Sequence, residues 1–125
     1  MAGNVTLRQD WTVTHTPAAA TQATISKAAK TGTRWHATMI SATFAAAGTA
    51  AAPIVLNLRD STTGAGNILA SWTLAAPVNS MAYVHLTGID IQGVADQALT
   101  LEFAGAGAAA TLQNVNLGGY GEIIG

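Results

Sequence analysis

The side chains that could do chemistry are few and scattered along this 125-residue chain. Its three histidines, His15, His36 and His85, lie on separate segments, and none has a second histidine two or four positions away. A zinc site needs three or four ligands brought together by the fold. We therefore expect the three histidines to be exposed or satisfied on strand faces, and we expect no metal or cofactor.

The carboxylates and hydroxyls show no catalytic pattern either. Asp60 follows Arg59 at a turn, where an aspartate usually accepts hydrogen bonds from its own loop backbone. The other acidic residues form no pair that predicts general acid and base roles; they are Asp10, Asp90, Asp96, Glu102 and Glu122. No serine lies in a Gly-x-Ser-x-Gly elbow, and the chain has no cysteine. The sequence thus predicts a protein that is not an enzyme.

The composition is poor in charge. Only 9% of residues are charged, 50% are hydrophobic, and the net charge is -1. A free monomeric domain carries about a quarter charged residues, which keep it soluble. The five basic residues are scattered, so they predict no nucleic-acid or anionic-membrane partner. A surface this uncharged suits coverage by neighbours, and we expect an assembly component.

No segment predicts export or membrane insertion. The start of the chain lacks a basic region followed by an apolar run, as a signal peptide would have. Residues 37–58 carry no charge and are long enough to span a bilayer, but Gly48, Pro53 and Asn57 interrupt them. We therefore expect a soluble protein.

Period-two alternation dominates the chain and predicts strands. Apolar residues alternate with polar ones, and glycine-rich or proline-containing turns separate the runs. The runs are residues 34–44, 54–59, 70–74, 82–87, 99–103 and, less regularly, 112–117. Strands and turns at this spacing predict one all-β domain, a jelly-roll-like antiparallel β-sandwich.

Residues 17–30 allow two interpretations. Alanine content favours a helix with Thr16 as N-cap and Gly32 as its stop. However, residues 23–27 show no apolar stripe of helical period, and residues 30–33 are typical of a hairpin turn into the next strand. We favour strand, turn and strand.

The two ends of the chain differ from the domain between them. We predict an extended N-terminal arm over residues 1–17 and a single sandwich domain over residues 18–125. The ends are either docking arms or, equally, a paired edge strand and a frayed tail. The candidate interface residues are large apolar or aromatic side chains near the ends or beside charges, namely Val5, Leu7, Trp11, Val13, Trp35 and Tyr120. If the arm docks, deleting residues 1–17 should abolish attachment and leave the sandwich folded.

Three segments carry a resemblance to a known group of proteins. Residues 56–72 contain a strand ending in Arg59-Asp60, a turn with Gly64-Ala65-Gly66, and a second aliphatic strand. Together with residues 22–36 and 99–107, this segment resembles small virion structural proteins of tailed bacteriophages. The likeness covers residues 20–118 and none of the N-terminal arm. It implies a jelly-roll sandwich that decorates or cements a capsid, commonly as a trimer.

The expected function is therefore capsid decoration. The expected partners are the major capsid protein and further copies of the chain, as a homotrimer on the outer surface of a virion made in the host cytoplasm. A head-fibre, spike or tail accessory protein is the nearest alternative. An alternative of another class is a carbohydrate-binding sandwich, for which Trp35 and Tyr83 are the candidate platform residues.

Overall fold

The computed structural model describes residues 10–46, 52–107 and 111–124. Every regular element in these ranges is a strand, and the eight strands follow one another as β1 (Asp10–His15), β2 (Thr24–Lys27), β3 (Thr33–Ala46), β4 (Ile54–Arg59), β5 (Ile68–Leu74), β6 (Ser80–Gln92), β7 (Leu99–Phe103) and β8 (Thr111–Ile123). Each alternating run noted in the sequence lies within one of these strands. The described ranges contain no helix that could cross a membrane.

The strands form two four-stranded antiparallel sheets. The first sheet has the order β1-β8-β3-β6 and the second has the order β2-β7-β4-β5. Among these strands only β4 and β5 are neighbours both in sequence and in a sheet, so the other connections pass between the sheets. The expected all-β sandwich is confirmed, and this order is compatible with a jelly roll.

The core lies between the two sheets and consists of the apolar side chains that alternate with polar ones along each strand. Leu56, Leu58, Leu99 and Leu101 are fully buried on the inner side of the second sheet. Similar side chains of the first sheet face them, including Ile40, Phe44, Val115 and Leu117. The rings of Phe44 and Phe103 meet between the sheets with centroids 5.9 Å apart. Period two therefore decides which side chains reach the core.

Residues 17–30 contain a strand, as we favoured, rather than a helix. The backbone N–H of Thr33 donates to the carbonyl of Lys30 at 3.1 Å, and Gly32 has a φ of 74°, which glycine adopts without strain. The expectation of a hairpin here is wrong, because β2 pairs with β7 and β3 pairs with β6 and β8. The turn instead carries the chain from one sheet to the other.

Candidate interface on the outer face of the first sheet

The outer face of the first sheet exposes large uncharged side chains. Ala82, Val84 and Leu86 of β6 turn inward, so Met81 and Tyr83 turn outward by the period of the strand. Met81 is 55% exposed and Tyr83 is 71% exposed. An exposed tyrosine beside an exposed methionine is a favourable composition for a protein interface.

The strand register places further uncharged residues beside these two. Tyr83 lies opposite Thr43, and Met81 lies opposite Ala45. Ala45 in turn lies opposite Leu112 of β8, which is 52% exposed. We name this surface the Tyr83 patch, and it comprises Ser41, Thr43, Ala45, Met81, Tyr83, His85, Leu112, Asn114 and Asn116. None of its members carries a formal charge when His85 is neutral.

Strand β6 also forms one edge of the first sheet. Within the described ranges no strand pairs with its outer edge. Residues 80–87 contain no charge and no proline, the usual devices that protect an edge from pairing with another chain. At Gly88 the φ is 69°, and the register with β3 shifts between Ala37 and Met39, so the regular edge ends there.

The other end of the same face holds a cluster of ionisable side chains centred on His36. The Nδ1 atom of His36 lies 2.6 Å from Oδ1 of Asp90, and its Nε2 atom lies 2.7 Å from Oε2 of Glu122. Tyr120 stacks on the imidazole at 4.5 Å and donates from its hydroxyl to Asp90 at 3.0 Å. Arg34 approaches Glu122 to 3.6 Å. The cluster thus joins β3, β6 and β8.

The hydrogen bonds of this cluster use both ring nitrogens of His36. The ring is therefore held between a carboxylate of β6 and a carboxylate of β8. The hydrogen bond from His36 is the main cause that lowers the pKa of Glu122, and the charges of His36 and Arg34 act in the same direction. Among the described residues no group of three His, Asp or Glu is placed to hold a metal ion. This cluster therefore fastens strands together.

Trp11 and Trp35 lie against the protein's own core. Trp35 is 7% exposed and its indole N–H donates to the carbonyl of Ala28 at 3.0 Å. Trp11 is half-buried and meets Trp35 edge to face at 5.8 Å. The ammonium of Lys27 lies 5.6 Å from the ring centre of Trp11 and 5.0 Å from that of Trp35. These contacts are favourable cation–π pairs that stabilise one end of the sandwich.

The six candidate interface residues predicted from the sequence do not form one surface in the described structure. Trp11 and Val13 lie in β1, which pairs along β8 as an edge strand of the first sheet. Tyr120 belongs to the His36 cluster, and Trp35 is enclosed. Val5 and Leu7 lie outside the described residues. The role of these six residues in an interface stays a prediction.

The structure also separates the two residues of the carbohydrate alternative. The side chain of Trp35 is buried between the sheets, whereas Tyr83 stands on the outer face of β6. Two aromatic rings must share one accessible surface to form a sugar platform. Trp35 and Tyr83 do not share one.

A shallow groove of about 320 Å³ lies on the same outer face, at the level where β3 changes register. The residues that line it include Asp10, Trp11, Met39, Gly118 and Gly119. A side chain at Gly119 would collide with the carbonyl oxygen of His36. Gly119 is thus needed for the close approach of β8 and β3.

The part of the second sheet's outer face that β7 forms is covered by the protein itself. Glu102 is only 2% exposed, and its carboxylate accepts hydrogen bonds from Nε of Arg59 at 2.7 Å, the N–H of Gly64 at 2.9 Å and the hydroxyl of Thr24 at 3.1 Å. The hydroxyl of Thr100 donates to the carbonyl of Ser61 at 2.6 Å. The β4–β5 loop, residues 60–67, therefore folds back over β7.

Sequence reasoning missed this polar network, although it placed Glu102 on the polar side of its strand. The available signal was the eight-residue loop, which is longer than a tight hairpin needs and can reach back over the sheet. Within that loop Asp60 behaves as predicted, because its carboxylate accepts from the N–H of Asn67 at 2.6 Å. On the second sheet the loop thus covers β7, whereas on the first sheet the outer side of β6 at Met81 and Tyr83 is left open.

No protein-family model and no curated protein matches this sequence. The protein is therefore classified by its fold alone, as an antiparallel β-sandwich of two four-stranded sheets. Its most distinctive accessible feature is the Tyr83 patch.

Proposed function

We propose that this chain is a non-enzymatic structural protein of a virion, which decorates the outside of a capsid as an oligomer and stabilises the shell. The observation that carries the proposal is the Tyr83 patch, an open and uncharged sheet face on a chain with only 9% charged residues. Such a face can be buried against a neighbour with little desolvation of charge.

The fold supports the proposal by analogy. Eight strands in two sheets, with connections that pass between the sheets, are compatible with a jelly roll, and capsid proteins are among the proteins that use this architecture. The same architecture serves many other functions. The analogy therefore adds to the argument from the surface and does not replace it.

The state of the ionisable side chains supports a role without catalysis. Both ring nitrogens of His36 are hydrogen-bonded to carboxylates, and the carboxylate of Glu102 accepts three hydrogen bonds in a buried position. These groups hold strands and a loop in place. A general base needs a free acceptor that faces a cleft.

The stabilising mechanism would be mass action. A protein that binds the assembled shell and not its separated subunits shifts the equilibrium toward the shell by its binding free energy. An oligomer that contacts several capsid subunits binds through several sites at once, which strengthens attachment without new contacts.

The test is co-sedimentation of the purified chain with capsid shells of the phage that encodes it. We expect the chain to pellet with the shells at a fixed ratio and to raise the temperature at which packaged DNA is released. A chain that stays in the supernatant at saturating concentration contradicts the proposal. Binding to isolated tails or fibres, with none to shells, would instead support the tail-accessory alternative.

A deletion variant tests the N-terminal arm in the same assay. Because residues 10–15 form β1 and pair with β8, deleting residues 1–17 would remove a strand of the first sheet. The sharper variant lacks residues 1–9 only, which removes Val5 and Leu7 and leaves β1 in place. We expect it to keep the thermal midpoint of the full chain and to lose shell binding. Unchanged binding would refute a docking role for the arm.

A further inference from the structure

Three of the large apolar side chains that are at least half exposed are on one surface, the Tyr83 patch. Met81, Tyr83 and Leu112 come from β6 and β8, with Ala45 and Thr43 of β3 between them. Soluble proteins seldom leave such side chains grouped unless the group is an interaction site.

We propose that the Tyr83 patch is the surface through which copies of this chain contact one another around a shared rotation axis. This inference rests on the oligomer in the proposed function and adds the residues that form it. The occupant of the patch is therefore the same patch of another copy, with Tyr83 close to the axis.

The distribution of charge favours a second copy as the occupant. Residues close to a rotation axis lie near their own equivalents, so charged residues at the axis would be placed next to like charges. The Tyr83 patch has no formal charge, while Arg34, His36, Asp90 and Glu122 occupy the other end of the same face. The uncharged end can thus meet its own copy without repulsion.

The edge of β6 gives an independent reason. Residues 80–87 leave one row of backbone N–H and carbonyl groups without a strand neighbour in the described part of the chain. An unprotected edge of this kind is a hazard for a protein that stays monomeric. A closed symmetric oligomer covers the edges of all its members at once. A contact between copies at this edge would prevent open-ended association.

The first experiment measures the mass of the full-length chain in solution by multi-angle light scattering over a wide concentration range. We expect a fixed multiple of 12.6 kDa, and the resemblance noted above implies a trimer. The variant Tyr83→Glu should weaken association by about thirtyfold or more, because it places like charges at the axis of the contact. The matched control is Ile68→Glu, at a residue 50% exposed on the edge strand of the other sheet.

We expect the control to keep the oligomeric mass. A full-length chain that is monomeric at every concentration overturns the inference, as does equal dissociation by Tyr83→Glu and Ile68→Glu. Circular dichroism of each variant should show the native strand signal. If Tyr83→Glu loses that signal, Tyr83→Ser tests the same contact without a charge.

Because the natural chain has no cysteine, a single introduced cysteine reports proximity directly. Disulfide formation needs two Cα atoms within about 7 Å, so Tyr83→Cys should crosslink two copies under mild oxidation. Ile68→Cys should remain uncrosslinked. An oligomer in which Tyr83→Cys gives no crosslink would show that the copies meet through another surface.

The failures of the two proposals are distinguishable. A monomer that still pellets with capsid shells contradicts the self-contact and leaves the decoration function standing. An oligomer that depends on Tyr83 but ignores shells supports the self-contact and contradicts decoration.

Discussion

The buried carboxylate of Glu102 offers the sharpest test of how the second sheet is held together. Replacing it in Glu102→Ala removes three hydrogen bonds and leaves the Arg59 guanidinium, 19% exposed, without this carboxylate. Removing one partner of a buried ion pair costs about 3 to 5 kcal/mol. Because water still reaches part of Arg59, we expect the lower value, about 3 kcal/mol.

The expected change in thermal midpoint follows from the size of the chain. Unfolding entropy of about 2.1 cal/mol/K per residue converts that loss to a fall of about 10 °C for this chain. The variant Glu102→Gln keeps an amide oxygen as acceptor and loses the charge, so we expect a smaller fall. Urea unfolding and calorimetry measure both variants against the natural chain.

A local measurement identifies the network as the cause. Amide hydrogen exchange should show that Gly64 loses protection in Glu102→Ala, because its N–H donates to that carboxylate. The matched control is Thr62→Ala, an exposed side chain of the same loop, which should change stability much less. A loss under about 1 kcal/mol in Glu102→Ala, with Gly64 still protected, would refute the reasoning.

Two further predictions concern the loop and the His36 cluster. Gly66 has a φ of 74°, and a Cβ there would lie 2.7 Å from Cβ of Ser61. The variant Gly64→Ala suffers backbone strain alone, which costs about 1 to 2 kcal/mol. Because Gly66→Ala adds a steric clash to the same strain, it should destabilise the fold at least about twice as much. Equal losses by urea unfolding would contradict that placement of the loop. The hydrogen bond from His36, followed by the charges of His36 and Arg34, lowers the pKa of Glu122 below its ordinary 4.5 against opposing desolvation. This carboxylate therefore contributes stability that is fully present above pH 4.5 and is lost as the pH falls through the lowered pKa. The variant His36→Gln should flatten the acid side of the thermal-midpoint profile, and an unchanged profile would count against the cluster.

Period-two alternation was enough to place β3 to β8, six of the eight strands, and to decide most inward faces. The inward side chains of β6 and the fully buried leucines of β7 are where the alternation predicted them. The segment over residues 24–27 was harder, because alanine favours a helix and a four-residue strand has almost no pattern of its own. Its pairing with β7 supplies the hydrogen bonds that local preference does not.

Other features depend on contacts between residues far apart in sequence. Trp35 lies between Arg34 and His36 in the sequence, so the alternating pattern of β3 suggested a residue beside charges at the surface. The pattern did not reveal that Trp11 and Lys27 enclose the Trp35 ring. The meeting of His36 with Asp90 and Glu122 needs three strands in register, 54 and 86 residues apart from His36 in the chain. No local pattern encodes such distances.

The sequence by itself determined that this is an all-β chain with few charged residues whose strands each have one apolar side, because period and composition are local properties. Only the tertiary structure decided which sheet keeps an open face. The β4–β5 loop covers β7 of the second sheet through Glu102, and nothing in the described chain covers Tyr83 on the first. Whether the outer face of a sheet is buried depends on which other parts of the chain pack against it, and only the tertiary structure sets that.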